Sequence, residues 1–380
     1  MYRVLHRSFC TFAEESTTAA TTNIKSISQD LFKEKNLKTL VDKFKKASDI
    51  VRFRKKAGIY EDTVRRLAGA KRFRWVRDII EHQKNYSDIS NEGFSARLIS
   101  LYGKSNMHRH AQKLFDEMPQ RNCNRSVLSV NALLAAYLHS KQYDVVERLF
   151  KELPDKLSVK PDLVSYNIYI KALLEKGSFD SAVSVVDEME KIGVNTDLIT
   201  FNTLLDGLYS KGHFEDGEKL WEKMEEKNVV PTIRTYNARL LGLAMVKKTG
   251  EAVEFYEEME KKGVKPDIFS FNALIKGFAS EGNLDEAKKW FDEIGKSEYE
   301  PGKGTYSIIL PFLCEKGDLK TAFEMVKNIF YNRCRVDVSL LQLVVDKMAS
   351  ESMVAEAKEI VEKGIKNNFC RYKLNLPVDE

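Results

Sequence analysis

Four asparagines, Asn167, Asn202, Asn237 and Asn272, stand 35 residues apart, and Pro231, Pro266 and Pro301 keep the same interval. Whole segments repeat with them. VSYNIYIKALLEKGSFDSAVSVVDEMEKIGVNTDL from Val164 aligns with ITFNTLLDGLYSKGHFEDGEKLWEKMEEKNVVPTI from Ile199 without a gap. A fixed period of this size requires one small structural unit used many times, with each unit leaning on its neighbours. Extending the frame divides the chain into units 57–91, 92–126, 127–162, 163–197, 198–232, 233–267, 268–302, 303–337 and 338–372. The first two and the last are the most degenerate, as the ends of a stack usually are.

Within a unit the apolar spacing is helical. In 163–197 a first helix carries Tyr166, Ile170, Leu173 and Leu174 and stops at Gly177. A second carries Phe179, Ala182, Val185, Val186 and Met189 and stops at Gly193. Glycine after a helix supplies the left-handed cap. No strand-like alternation is present. Neither helix can bury its apolar stripe alone, so the fold class is all-α, an α-solenoid of helix-turn-helix units. Trp75, Trp221 and Trp290 fall in second helices and are expected in the core.

Charge is unevenly spread. The chain's net charge is +5, yet residues 1–126 carry 26 Lys and Arg against 14 Asp and Glu, and the remainder is net negative. Most of the excess lies between Lys33 and Arg77, where 16 basic residues meet 5 acidic ones. Such a cluster is either a solvated helix face or an electrostatic footprint for phosphates. Arg52, Arg54, Lys55 and Lys56 are its densest run and the candidate anchor on an RNA backbone. The segment 25–56 reads as a basic helical lead-in that caps the stack, and 373–380 as a short tail.

The N-terminus, MYRVLHRSFCTF, interleaves Arg3, His6 and Arg7 with apolar residues and has no acid before Glu14. A Ser/Thr/Ala tract follows, and no apolar core of secretory length is present. Residues 1–24 therefore read as a mitochondrial transit peptide, with the matrix as destination. No apolar run approaches the roughly 20 residues of a membrane span. The five cysteines are scattered with no C-x-x-C pair, which disfavours both a disulfide scaffold and a zinc site. His108 and His110 face apart on a helix, and EPGKGTY at 300–306 lacks the spacing of a phosphate loop and aligns with a repeat junction. Neither a catalytic constellation nor a cofactor or metal motif is expected, and no small-molecule substrate.

The unit pattern resembles the pentatricopeptide repeat family. It has a hydrophobic–Ser/Thr–aromatic–Asn start, a second helix ending in Glu-Met, and a Gly-Val-Lys-Pro-Asp junction, clearest in FSFN…EGNLDEA…WFDEIG. Uniform unit length is similar to the plain P class. The His-x-Glu and paired cysteines of the family's editing members do not occur in the sequence. The lead-in KTLVDKFKKASDIVRFRKKAGIYEDTVRRL and the unit EGFSARLISLYGKSNMHRHAQKLFDEMPQR further resemble the compact P-class proteins of the plant mitochondrial small ribosomal subunit.

That resemblance implies single-stranded RNA read one base per repeat, on the concave side, by the fifth and last residues of each unit. The pairs are Asn131 with Asp162, Asn167 with Asp197 and Asn237 with Asp267, which imply uracil. Ser307 with Asp337 implies a purine, Asn202 with Thr232 is ambiguous, and Asn272 with Gly302 lacks its second member. Glu61 with Asn91, Ala96 with Ser126 and Gln342 with Tyr372 depart from the pattern. Leu128, Val164, Ile199 and Phe269 are the residues expected to pack between bases, and Arg234 and Gly304 break that series. The asparagines have an alternative reading as structural groups that cap or bond backbone. The implied roles are a structural component of the mitochondrial small subunit, with rRNA and mitochondrial ribosomal proteins as partners, a free factor binding U-rich transcripts, or a protein-binding scaffold.

Overall fold

The computed structural model describes residues 24–367 and 372–376. The expected transit peptide falls almost wholly outside them. All regular structure among the described residues is helical. The chain divides into two compact units, 1–195 and 196–380.

The first compact unit opens with a helical segment at 24–33, then Leu37–Ala47 and the single turn Val51–Arg54. Four helical pairs follow: Ala57–Gly69 with Phe73–Gln83, Glu92–Lys104 with His108–Glu117, Val127–His139 with Tyr143–Leu157, and Leu163–Lys176 with Phe179–Lys191. The second holds five: Leu198–Ser210 with Phe214–Glu226, Ile233–Met245 with Thr249–Lys261, Ile268–Glu281 with Leu284–Lys296, Lys303–Lys316 with Leu319–Tyr331, and Val338–Ser350 with Val354–Lys366. In each compact unit the first helix of a pair packs on the first helix of the next, so the first helices form one row.

The turn that ends each first helix has one geometry. Lys71, Asn106, Lys141, Gly177, Gly212, Lys247, Gly282, Gly317 and Ser352 all lie in the left-handed region, φ between 56° and 87°. Five of these nine carry a side chain, so the turn is imposed by packing even where no glycine relieves it. An L-residue there costs on the order of 1 kcal/mol.

Close approach of helices is the other constraint. A Cβ on Gly103 would fall 2.4 Å from the backbone of Ala136, which fixes the contact between Glu92–Lys104 and Val127–His139. In the second compact unit the Tyr209 ring fills the space left by Gly217 and Gly242, and its hydroxyl donates to Glu218 at 2.5 Å. Arg239 meets the same carboxylate through two nitrogens and lies over the rings of Trp221 and Phe255. Of the three tryptophans only Trp221 is fully buried. Trp75 and Trp290 are partly exposed, the first beneath the Arg72 guanidinium and the second against Tyr256.

Candidate nucleic-acid interface

The N-terminus of each first helix needs a partner for its free N–H groups. The last residue of the preceding repeat supplies it. Asp162 Oδ1 accepts from the Ser165 N–H at 2.9 Å, and the Asp162 N–H donates to the Ser165 hydroxyl oxygen at 3.2 Å, a reciprocal capping box. Asp197 caps Leu198–Ser210 through the Thr200 N–H at 2.8 Å. Asp267 caps Ile268–Glu281 through Phe269 and Ser270. Thr232 does the same for Ile233–Met245, in a capping box with Thr235.

Two of the asparagines are tied into these caps. Asn131 Nδ2 donates to Asp162 at 2.9 Å, and its Oδ1 accepts from the Ser165 hydroxyl at 2.6 Å. Asn237 repeats the arrangement with Asp267 at 2.9 Å and Ser270 at 2.6 Å. Neither makes the backbone bond of the alternative reading; each bonds the last residue of its own repeat and a serine of the next. The carboxyl of Asp162 is raised by burial, but the bonds from Asn131, Ser165 and Val164 outweigh this and hold it below the usual range.

The other asparagines are left open. Asn167, Asn202 and Asn272 each have a buried Oδ1 without a hydrogen-bond partner. After the Asn202 repeat the hydroxyl of Thr235, at the position of Ser165, faces the Thr232 hydroxyl at 3.3 Å. In the Asn272 repeat Gly302 offers no acceptor for the amide nitrogen, and the hydroxyl of Thr305, at the position of Ser165, is itself buried and unpartnered.

Ser307 and Asp337 are not brought together by a bond: Ser307 is exposed, and the Asp337 carboxylate accepts from Lys303 Nζ at 2.9 Å. The three departing pairs are structural joints. Ala96 is buried, and the cap at Ser126 is shared: the Ser126 hydroxyl accepts from the Leu128 N–H at 3.2 Å, and Glu92 Oε1 accepts from the N–H groups of Ser126 and Ser129 at 2.7 and 3.2 Å. Glu61 pairs with Lys104, and Asn91 caps its own helix at Phe94. At Gln342 the side-chain amide donates to the Asn375 carbonyl at 2.7 Å and accepts from the Asn375 N–H at 3.0 Å. A carboxamide at the base-reading position thus pairs with the chain's own backbone.

The intercalating series is the clearest surface signal. Leu128, Val164, Ile199 and Phe269 are 50 to 66 % exposed. Arg234, which stands in that series, is held by Asp206 through Nε at 3.0 Å and a terminal nitrogen at 2.5 Å. In the second compact unit Asp206, Arg234, Asn237, Asp267, Phe269 and Asn272 line one cleft of about 700 Å³.

The basic run requires one correction. Arg54 is only 5 % exposed and cannot face a phosphate. Its guanidinium pairs with Asp88 at 2.6 Å, donates to the Ser48 carbonyl at 2.7 Å and lies 4.3 Å over the Tyr86 ring. A charge with that many local partners has no reason to stay in water. Arg52, Lys55 and Lys56 are exposed.

Models of the pentatricopeptide repeat match the chain over a continuous stretch. The PPR repeat family matches at 161–210, 196–245, 231–280 and 266–315, the pentatricopeptide repeat domain at 113–175, and a further PPR repeat at 97–123. Together they cover more than half of the residues. The chain belongs to the pentatricopeptide repeat family. Among curated relatives from Arabidopsis thaliana, it is 56% identical over 174 residues to small ribosomal subunit protein mS78, 46% of this chain and 44% of that one. It is 55% identical over 157 residues to small ribosomal subunit protein mS79, 41% of this chain and 40% of that one. The matched segments thus span less than half the length of these relatives. Among solved structures, the pentatricopeptide repeat protein PPR10 from maize superposes with a TM-score of 0.56 at 20% identity, over 96% of this chain and 51% of that one. At that identity the likeness shows the shared fold.

Proposed function

We propose that this pentatricopeptide repeat protein is a non-catalytic structural component of the mitochondrial small ribosomal subunit, held there by rRNA and neighbouring ribosomal proteins. The observation that carries this reading is the identity of 56% and 55% to two proteins named as small-subunit components. The mitochondrial matrix is the corresponding location, and another relative, 40% identical over 131 residues, is named as mitochondrial. No described helix is long and apolar enough to cross a membrane.

The base-facing chemistry follows from the asparagines. An amide nitrogen carries two hydrogens and an amide oxygen two lone pairs. Asn131 and Asn237 each commit one hydrogen to the last residue of their own repeat and one lone pair to a serine of the next, which fixes the amide plane and leaves the other hydrogen for a base. The Oδ1 atoms of Asn167, Asn202 and Asn272 are buried without a partner, and a turn of the amide toward a bound base would pair them with the N–H of a uracil edge. A buried acceptor without a partner costs about 1–3 kcal/mol, which a matching donor recovers. Exposed Val164, Ile199 and Phe269 supply apolar contact to base faces, worth about 1–3 kcal/mol per stacked base. Ser307 and Asp337, expected to read a purine, contribute least, since Lys303 occupies the carboxylate.

A free factor that binds U-rich transcripts is the second reading, and the intact Asn131–Asp162 and Asn237–Asp267 pairs favour it. A sucrose gradient of organelle extract separates the two. Co-migration with the small subunit, lost when the subunit is dissociated, is the expected result. A peak that is free or follows messenger RNA would replace the ribosomal reading with the transcript-binding one.

A further inference from the structure

The lead-in holds a second cleft, about 870 Å³, between the helical segment 24–33 and the stretch from Arg52 to Ile59. Its size is that of clefts that bury ligands of several rings. Four cations line it, Lys25, Arg52, Lys55 and Lys56, and no carboxylate does. Lys25, Lys55 and Lys56 form no ion pair among the described residues. Phe32 stands at the same opening with half of its surface exposed. The acids of the same segment are used elsewhere: Asp30 and Glu34 both hold Lys43. The walls are fixed in place, since Arg66 donates to the carbonyls of Leu31 and Glu34, and Arg54 pins the opposite wall to Asp88.

We propose that this cleft holds an unpaired stretch of RNA, with a base stacked on Phe32 and the flanking phosphates on Lys25, Lys55 and Lys56. Each nucleotide carries one aromatic face and one phosphate, and the cleft offers an exposed ring with cations around it and nothing anionic. That pairing of aromatic platform and basic groove is how sequence-tolerant single-strand sites are built. A duplex keeps its base faces stacked within itself, so it would leave the ring uncovered. The inference rests on the RNA reading above but adds a site apart from the repeat asparagines, one that selects for single-strandedness and not for base identity.

The test is ultraviolet cross-linking of the full chain to a short oligouridylate and to an oligoadenylate, with the modified peptides identified by mass spectrometry. Both strands are expected to cross-link at the peptide containing Phe32, and Phe32→Ala is expected to abolish that adduct alone. The double variant Lys55→Glu, Lys56→Glu is expected to weaken binding of both strands about tenfold and to flatten its salt dependence, as lost phosphate contacts do. Circular dichroism unchanged from the parent chain checks that the variants fold. Adducts confined to the repeats and indifferent to Phe32→Ala would overturn the inference and leave the RNA reading standing. Displacement of the oligonucleotides by polyglutamate, without any Phe32 adduct, would make the cleft a site for acidic peptide and overturn it. Absence of adducts anywhere in the chain would overturn both.

Discussion

Asp162 holds the Asn131 carboxamide and caps the following helix with the same atom. Its Oδ1 accepts from Asn131 Nδ2 at 2.9 Å and from the Ser165 N–H at 2.9 Å. Asp267 does likewise for Asn237, Phe269 and Ser270. A residue proposed here to discriminate bases is therefore also what joins one repeat to the next. Replacing it acts on recognition and stability together, and the two effects have to be measured separately.

The bonds that hold Asp162 below its usual range make this joint sensitive to acid. A carboxyl whose folded value is depressed contributes stability above its unfolded value, near 3.8, and loses it as the pH falls further. Urea midpoints of the parent chain are expected to be flat at neutral pH and to drop below about pH 4. Asp162→Ala is expected to cost about 1 kcal/mol at pH 7, the usual worth of a cap, and to show a shallower acid limb. An acid limb identical in parent and variant would remove Asp162 from the account.

Arg54 and Lys55 are sequence neighbours with opposite fates. Arg54→Ala leaves Asp88 without its partner in a half-buried setting and is expected to cost about 3 kcal/mol. Lys55→Ala removes an exposed charge and is expected to stay within about 0.5 kcal/mol. Chemical denaturation of the two variants side by side decides this, and equal small losses would contradict the burial of Arg54.

The turns after the first helices offer a stabilising change. Lys141 and Lys247 sit at φ values of 56° and 60° that glycine tolerates without penalty. Lys141→Gly and Lys247→Gly are each expected to raise stability by up to about 1 kcal/mol, less what the added freedom of the unfolded chain takes back. Thermal unfolding of the single and double variants reads this directly, and the gains should add because the sites lie in separate compact units.

Gly103→Ala should do the reverse. Its new methyl would meet Ala136 at 2.4 Å from a backbone atom, which no side-chain rotation relieves. A loss of about 1–3 kcal/mol is expected. Gly69→Ala, with open space at the corresponding point, serves as the control and should be neutral or slightly stabilising. Equal effects of the two would mean that the Glu92–Lys104 helix can shift away from its neighbour.

Much of this was legible in the sequence because it is periodic. The helix pairs and the left-handed turns at Gly177 and Gly193 follow from the 35-residue frame, and the family resemblance points to Leu128, Val164, Ile199 and Phe269, which are exposed. The capping role of Asp162 had a signal that the frame concealed, an Asp with Ser three residues on, at the start of an apolar helical run. The burial of Arg54 had none. Its partner Asp88 is 34 residues away, and a tally of charges treats every arginine as equally hydrated. The missing partner at Gly302 was legible beside Asn272, but the state of the Thr305 hydroxyl, buried and unpartnered like the Asn272 oxygen, was not.

The bond between Gln342 and Asn375 runs from a side chain to a main chain, and so it is blind to what residue 375 is. Twenty amino acids present the same carbonyl there, and all but proline present the same N–H. Drift at that position is therefore free in every direction but one, and a comparison of side chains alone would score it as unconstrained. The demand falls wholly on Gln342, whose reach and paired donor and acceptor neither Glu nor Lys reproduces.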